Sequence, residues 1–277
     1  MTNTGVPTIF SHGANIPQIG LGTWELRGDV LARAVETAAE VGYRHFDTAP
    51  RYKNETEMGI ALRAMALPRE SYFLTTKVWY TELTAPALLA SAEASLERLG
   101  VGAVDLLLVH WPSSDVPLAE TIGALCEAKS RGYTRHIGVS NFPSVLLEKA
   151  IAIADSPLVA NQCEYHPRLN QSGLIETCRQ HDMAFVAYAP MGSGRLLANP
   201  VITEIAAKKA KSSAQIILRW HLQQGVVAIP RSSNPDRIRE NISVTDFSLS
   251  PYEMERLTVL GKSGERIFNP DFVAGWN

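Results

Sequence analysis

The chain has 277 residues, of which 45% are hydrophobic and 19% charged, a composition that excludes intrinsic disorder. Its 26 Lys and Arg and 28 Asp and Glu give a net charge of −2, which predicts no general attraction to nucleic acid or to an anionic membrane. The three scattered cysteines predict neither a disulfide framework nor a zinc site, and without a signal-peptide pattern or a membrane-length apolar run we expect a cytoplasmic protein without a metal.

Short apolar segments alternate with segments of helical period along the chain. A β-hairpin is predicted over residues 8–19. Asn54 with Glu57 three residues later predicts a capping box at the start of one helix. Helical period is clear at 92–99 and 203–210, and a further helical piece follows at 213–223. Strands are predicted over residues 19–24, 43–47, 72–78, 104–110, 136–139, 158–163, 184–187 and 226–229.

Eight βα units in a chain of this length predict an α/β fold, a (β/α)8 TIM barrel with an N-terminal β-hairpin. A doubly wound open sheet is the alternative. That fold usually carries three glycines in the turn after its first strand, whereas the segment from Gly20 to Trp24 reads GLGTW and lacks the third. No linker, charge block or repeat divides the chain, so residues 1–277 are predicted to form one domain.

Polar side chains lie at the ends of three successive predicted strands. Asp47 closes the second strand, Lys77 lies at the end of the third, His110 closes the fourth, and Tyr52 follows the second. Each alone has an ordinary structural interpretation, such as a helix cap, an edge lysine or a core histidine. Because the carboxyl ends of barrel strands face one pocket, we expect the four to converge as a site.

These residue types suit the reduction of a carbonyl group. Tyr52 can donate a proton to the carbonyl oxygen, and the Lys77 ammonium, held by Asp47, is expected to lower the phenol pKa from its usual value of about 10. His110 can donate a hydrogen bond to the same oxygen. No Ser or Cys nucleophile with a general base accompanies them, which disfavours acyl transfer.

Two arginines predict an anion site after the last strand. Arg231 and Arg237 flank the predicted start of a helix, beside Ser232. Barrels commonly bind phosphate at their last strands, helix N-termini attract anions, and guanidiniums form bidentate phosphate contacts. Solvated surface arginines are the alternative.

Four segments resemble the signatures of the aldo-keto reductases. They read GYRHFDTAPRYKNETEMG at 42–59, DLLLVHWP at 105–112, IGVSNF at 137–142 and IPRSSNPDRIREN at 229–241. The resemblance extends from about residue 8 to the C-terminus, and the bacterial 2,5-diketo-D-gluconate reductases are the most similar group. It implies a (β/α)8 barrel and NADPH-dependent carbonyl reduction. The catalytic residues it implies are Asp47, Tyr52, Lys77 and His110.

The same resemblance implies the cofactor contacts. At the nicotinamide end they are Ser140, Asn141 and Gln162 on the carboxamide and Tyr188 on the ring. At the adenosine end they are Arg231, Ser232 and Arg237 on the 2′-phosphate, with Glu240 and Asn241 near the adenine. The cleft would be lined by Gly22, Thr23 and Trp24. The family usually has Lys in place of Arg231 and often Ser in place of Ala189, and both departures bear on the strictness of the NADPH preference.

Four tryptophans are candidates for an aromatic wall around the substrate: Trp24, Trp79, Trp111 and Trp276. Core packing is the alternative for the first three, and a disordered tail for Trp276. The short loop from Trp111 to Leu118 predicts an open pocket for small polar carbonyl compounds, namely small aldehydes, α-dicarbonyls or keto-sugars.

Two other functions remain open beside the reductase. A regulatory subunit could bind NADPH on the same fold with little catalysis. A barrel isomerase acting on a sugar phosphate would need a carboxylate base that faces its substrate. The candidate carboxylate, Asp47, is instead expected to pair with the Lys77 ammonium. The expected partner is a small carbonyl substrate, with no nucleic acid or membrane, and the protein is expected to be a monomer.

Overall fold

The computed structural model describes residues 5–270 and 272 of the chain. Within them a two-stranded antiparallel sheet, β1 (Thr8–Ser11) with β2 (Ala14–Pro17), precedes an eight-stranded parallel sheet. The strands of the larger sheet follow one another in chain order. They are β3 (Leu21–Gly22), β4 (His45–Asp47), β5 (Phe73–Val78), β6 (Val104–Val109), β7 (Thr134–Ser140), β8 (Leu158–Glu164), β9 (Ala184–Tyr188) and β10 (Val227–Ala228).

The first and last strands of the parallel sheet meet and close it into a barrel. Ile19, just before β3, forms a parallel bridge with Ala228 of β10, and the backbone N–H of Gly22 donates to the carbonyl oxygen of Pro230 at 3.0 Å. A Cβ at Gly22 would lie 2.8 Å from the carbonyl oxygen of Ile229, so this close approach requires glycine. The predicted α/β barrel is confirmed, and the doubly wound open sheet is wrong.

At least one helix follows every barrel strand. Two follow β9, where the sequence predicted two helical pieces, and two follow β10. The helices are α1 (Gly28–Glu40), α2 (Glu55–Ala64), α3 (Ala85–Leu99), α4 (Leu118–Ser130), α5 (Ser144–Ile153), α6 (Ser172–Gln180), α7 (Pro200–Lys209), α8 (Ser213–Gln223), α9 (Pro235–Ile242) and α10 (Pro251–Thr258). Every residue of β5 and β6 is buried, as expected for strands inside a ring of helices.

The predicted hairpin is confirmed, and it covers the amino-terminal end of the barrel. His12 and Gly13 turn the chain with positive φ angles of 44° and 90°. Ala14 and Ile16 of β2 are buried in one cluster with residues of the barrel interior, among them Phe73 at the start of β5. The carboxyl ends of the strands are left to form the site.

The predicted capping box at Asn54 and Glu57 is wrong. Although α2 begins after Asn54, this side chain makes no cap. It is buried, and its amide donates to the carbonyl oxygens of Thr23 and Leu26 at 2.8 and 2.9 Å, while its Oδ1 accepts from Thr48 Oγ1 at 2.9 Å. Asn54 therefore joins the loop after β3 to the loop after β4, both of which carry predicted site residues.

No helix among the described residues is both long and apolar enough to cross a bilayer. The single domain over residues 1–277, the monomeric state and the cytoplasmic location stay predictions.

Candidate active site

A cavity of about 1130 Å³ lies where the carboxyl ends of the barrel strands meet. The predicted site residues that line it are Gly22, Thr23, Trp24, Asp47, Tyr52, Trp79, His110, Trp111, Asn141, Gln162, Tyr188, Arg231, Ser232, Arg237, Glu240 and Asn241. Lys77 and Ser140 are buried behind this lining. Trp276 lies outside the described residues.

Lys77 is the centre of a hydrogen-bonded cluster at the floor of the cavity. Its side chain is fully buried, and Nζ donates to Asp47 Oδ1 at 2.5 Å, to the carbonyl oxygen of Thr48 at 3.0 Å and to Tyr52 Oη at 3.2 Å. The second oxygen of Asp47 accepts from Gln162 Nε2 at 2.8 Å. The three donors of the ammonium are therefore all used, which fixes the distance between the charge and the phenol oxygen.

The electrostatics of this cluster keep Lys77 charged and Tyr52 protonated at neutral pH. Burial opposes the charge on Lys77, but Asp47 and Tyr52 together raise its pKa above the usual value. Burial also raises the pKa of the Tyr52 phenol, and the ammonium acts against that increase. Lys77 thus lowers the pKa of the Tyr52 phenol, as predicted, but the effect of burial is larger, so the net shift of this pKa is upward.

His110 borders the same cavity as a neutral imidazole. Burial, then the positive charges of Lys77 and Arg51, lower its pKa well below the usual value. Its ring meets the Tyr52 ring edge to face, with centroids 5.8 Å apart. Nδ1 is buried without a hydrogen-bond partner among residues 5–270 and 272. With no acceptor at Nδ1, the single N–H of the neutral ring is better placed on Nε2.

An amide cluster borders the other side of the cavity. Asn141 adopts a positive φ of 64° after β7, and its Nδ2 donates to the carbonyl oxygen of His110 at 2.9 Å and to Ser140 Oγ at 3.1 Å. Its Oδ1 accepts from Tyr188 Oη at 2.9 Å. The hydroxyl of Ser140 donates to the backbone oxygen of Gln162 at 2.7 Å. Ser140 therefore supports its neighbours from behind the cavity.

The predicted anion end lies at α9 and the loop before it. Arg231 Nη2 lies 3.2 Å from Glu25 Oε2, and its Nε donates to the carbonyl oxygen of Trp24 at 3.1 Å. Arg237, in the first turn of α9, has no ion pair or side-chain hydrogen bond in the part of the chain that the structure describes. This end of the cavity thus offers one guanidinium that is already paired and one that is available.

The sequence reasoning missed a carboxylate that holds the tail over the cavity. Glu164 ends β8 fully buried, and its two oxygens accept the backbone N–H groups of Ile267 and Phe268, each at 2.8 Å. The Phe268 ring then contacts the rings of Trp24 and Tyr188 edge to face, both at 5.5 Å. An acidic residue directly after the sixth predicted strand, at the same end as Asp47, was the available signal.

Phe272 was also missed, and it completes the predicted tryptophan wall. Its ring stacks on Tyr80 at 4.0 Å and contacts Trp79 and Trp111 edge to face, both at 5.8 Å. The tail therefore adds aromatic surface where the sequence predicted an open mouth.

Arg51 is a further residue that the sequence analysis missed. It is a cation in the cavity wall, directly before Tyr52.

Replacing Glu164 by alanine is expected to release the tail. Two backbone N–H groups lose a buried charged acceptor, so the free energy of unfolding should fall by about 2 kcal/mol or more, and the 265–270 segment should be cleaved faster in limited proteolysis. The matched control is Glu148→Ala, at an exposed glutamate of α5. Equal cleavage and equal stability in the Glu164 variant and the wild type would show that the carboxylate does not hold the tail.

The chain is similar to known proteins over nearly its whole length. Residues 18–262 match the sequence profile described as the Aldo/keto reductase family. An aldo-keto reductase of Mycolicibacterium smegmatis is 42% identical over 95% of each chain. The glyoxal reductase of Bacillus subtilis is 41% identical over 94% of each chain.

Solved structures agree with these sequence matches. A structure assigned to a candidate 2,5-diketo-D-gluconic acid reductase B superimposes with a TM-score of 0.96 and 40% identity, over 100% of this chain and 99% of that one. An aldo-keto reductase complexed with NADPH superimposes with a TM-score of 0.92 and 30% identity, over 98% and 96% of the two chains.

Proposed function

Because the chain belongs to the aldo/keto reductase family, as its motifs predicted, we propose that it uses NADPH to reduce small aldehydes, α-dicarbonyls or keto-sugars to alcohols, with Tyr52 as the general acid. One observation carries the choice of Tyr52. The Lys77 ammonium contacts both Asp47 and the phenol oxygen at the floor of the cavity, beside His110. A phenol with this neighbour can release its proton and be stabilised as a phenolate.

The chemistry of the lining residues fits NADPH. The cavity is large enough for a dinucleotide beside a small substrate and has amides at one end and guanidiniums at the other. The residues that would hold the cofactor are Asn141, Gln162 and Tyr188 at the nicotinamide, with Ser140 behind them, Arg231, Ser232 and Arg237 at the 2′-phosphate, Glu240 and Asn241 at the adenine, and Gly22 and Thr23 in the cleft between. When bound, the cofactor supplies a hydride to the carbonyl carbon.

The protein's own groups act on the carbonyl oxygen. Tyr52 Oη and the His110 imidazole donate hydrogen bonds to it, which orients the substrate and polarises the carbonyl. As negative charge develops on that oxygen, Tyr52 transfers its proton to it. Lys77 stabilises the phenolate that remains, and Asp47 keeps the ammonium in place. The aromatic wall with Trp79 excludes water from the reacting groups.

NADPH oxidation measured against a panel of carbonyl compounds tests this function. Simple aldehydes, α-dicarbonyls and keto-sugars should turn over, with Michaelis constants from about 100 µM into the millimolar range, because small polar ligands bury little apolar surface. A steroid or long-chain ketone with the highest kcat/KM would contradict the substrate class. Tight NADPH binding without turnover of any compound would favour the regulatory alternative.

Replacing Arg237 by alanine is expected to weaken NADPH binding about tenfold and to leave NADH binding unchanged, because NADH lacks the 2′-phosphate. The difference between the two cofactors should shrink as the salt concentration rises. The control is Arg239→Ala on the same helix, since Arg239 lies near Glu40 and does not line the cavity. Titrations that give equal dissociation constants for NADPH and NADH in the wild type would reject the phosphate assignment.

A further inference from the structure

Arg51 is a cation in the cavity wall that the reaction described above does not use. It lies in the short turn Pro50–Tyr52, directly before the proposed general acid, and is exposed. Among residues 5–270 and 272 no carboxylate pairs with its guanidinium and no side-chain hydrogen bond holds it. Arg231, at the other end of the cavity, differs in that it pairs with Glu25.

An aromatic ring holds the Arg51 guanidinium in place. Its Cζ lies 5.3 Å from the centroid of the Trp79 ring, within the range of a cation–π contact. The guanidinium has this ring contact but no carboxylate or side-chain hydrogen-bond partner among the described residues, so its N–H groups are available to a ligand. Those N–H groups match the two oxygens of a carboxylate in a bidentate contact. Arg51 is thus preorganised to bind an anionic group.

The position of Trp79 sets the distance from this cation to the reacting carbonyl. The Trp79 ring also contacts His110 edge to face, with ring centroids 5.0 Å apart. The guanidinium and the imidazole that would contact the carbonyl oxygen therefore both lie in contact with one indole ring. A substrate that reaches both groups needs a carboxylate only a few carbon atoms from its carbonyl.

The acidic groups of the cavity nearest the catalytic cluster would not repel such a carboxylate strongly. Asp47 is buried and is neutralised by Lys77, with Gln162 on its second oxygen. Glu25 is paired with Arg231. Of the three arginines that line the cavity in the described part of the chain, Arg51 is the one directly beside the proposed general acid.

We propose that Arg51 binds a substrate carboxylate, so that the enzyme prefers aldehydes and ketones that carry a carboxylate a short carbon chain away from the carbonyl. This preference rests on the proposed function, because it requires the carbonyl to lie at Tyr52. Arg51 acts on specificity, and the reduction of a neutral carbonyl compound does not need it.

The test compares 4-oxobutanoate with its methyl ester, which has the same aldehyde and no charge. In the wild type, kcat/KM should be about tenfold higher for the carboxylate, the usual scale of one charge-assisted hydrogen-bonded contact. Arg51→Gln should remove this preference mainly through KM, because the contact is remote from the bonds that change. Activity on the ester should change much less than activity on the carboxylate, and a melting temperature close to that of the wild type would show that the variant is folded.

Two further variants distinguish a direct contact between Arg51 and the substrate carboxylate from a long-range electrostatic effect of nearby positive charges. Arg51→Lys should keep part of the preference for the carboxylate, because it keeps the positive charge but cannot form the bidentate contact of a guanidinium. Lys53→Gln removes a cation two residues away that does not line the cavity, and should keep the full preference.

Two results would overturn the inference: a wild-type enzyme that does not prefer the carboxylate, or an Arg51→Gln variant that prefers it as strongly as the wild type. If neither compound nor any other aldehyde is reduced by the wild type, the proposed function itself fails, and the specificity role of Arg51 fails with it. If the wild type and all variants reduce the ester, the proposed function holds, and only the role of Arg51 is then in question.

Discussion

Replacing Tyr52 by phenylalanine is expected to lower kcat at least about a hundredfold, the usual scale for loss of a general acid. The change removes only the phenol oxygen, which accepts from Lys77 Nζ at 3.2 Å, and keeps the ring that packs against His110. Fold and NADPH affinity should therefore be retained. The measurements are kcat from NADPH oxidation, the dissociation constant of NADPH and the melting temperature.

A matched control is Tyr252→Phe, which removes a phenol oxygen from a side chain that is 72% exposed on α10. It should leave kcat, NADPH affinity and the melting temperature unchanged. Near-normal turnover in a folded Tyr52→Phe protein would mean that another group supplies the proton.

Replacing Lys77 by methionine is expected to lower kcat by at least about a hundredfold as well. The ammonium opposes the effect of burial on Tyr52, so its loss should raise the phenol pKa further and leave the phenolate without its cation. The alkaline decline of kcat should then move to higher pH. NADPH affinity should change much less, because Lys77 does not line the cavity.

The same substitution should also destabilise the fold. It leaves the Asp47 carboxylate buried without its cation, and breaking a buried ion pair in this way costs about 3–5 kcal/mol. The double variant Asp47→Asn/Lys77→Met removes both charges and should recover stability without recovering kcat. If NADPH binding collapsed in Lys77→Met while turnover of the bound complex survived, Lys77 would be a cofactor ligand.

The position of the catalytic cluster could be predicted from sequence because it follows from the barrel. Once Asp47, Lys77 and His110 are assigned to the ends of parallel strands, the topology alone brings them to one pocket. The hairpin was predictable for a local reason, since His12 and Gly13 lie between two segments of strand character and can both adopt positive φ.

The remaining features depend on tertiary contacts that no local pattern encodes. Asn54 has the residue type and spacing of a cap, but three groups in the loops after β3 and β4 offer its side chain better partners. The contact from Glu164 to the backbone of Ile267 spans 103 residues. The net pKa shift of Tyr52 depends on its burial against the attraction of Lys77, a balance that requires coordinates.

The most direct test of the account is whether a hydride passes from NADPH to a carbonyl carbon at this site. The enzyme would be incubated with methylglyoxal and with NADPH in which both hydrogens at the nicotinamide C4 are replaced by deuterium, and the product alcohol would be analysed by mass spectrometry. We expect deuterium at the former carbonyl carbon with the wild type, and almost none over the same time with Tyr52→Phe. An alcohol product without deuterium, or no alcohol from the wild type, would contradict the account.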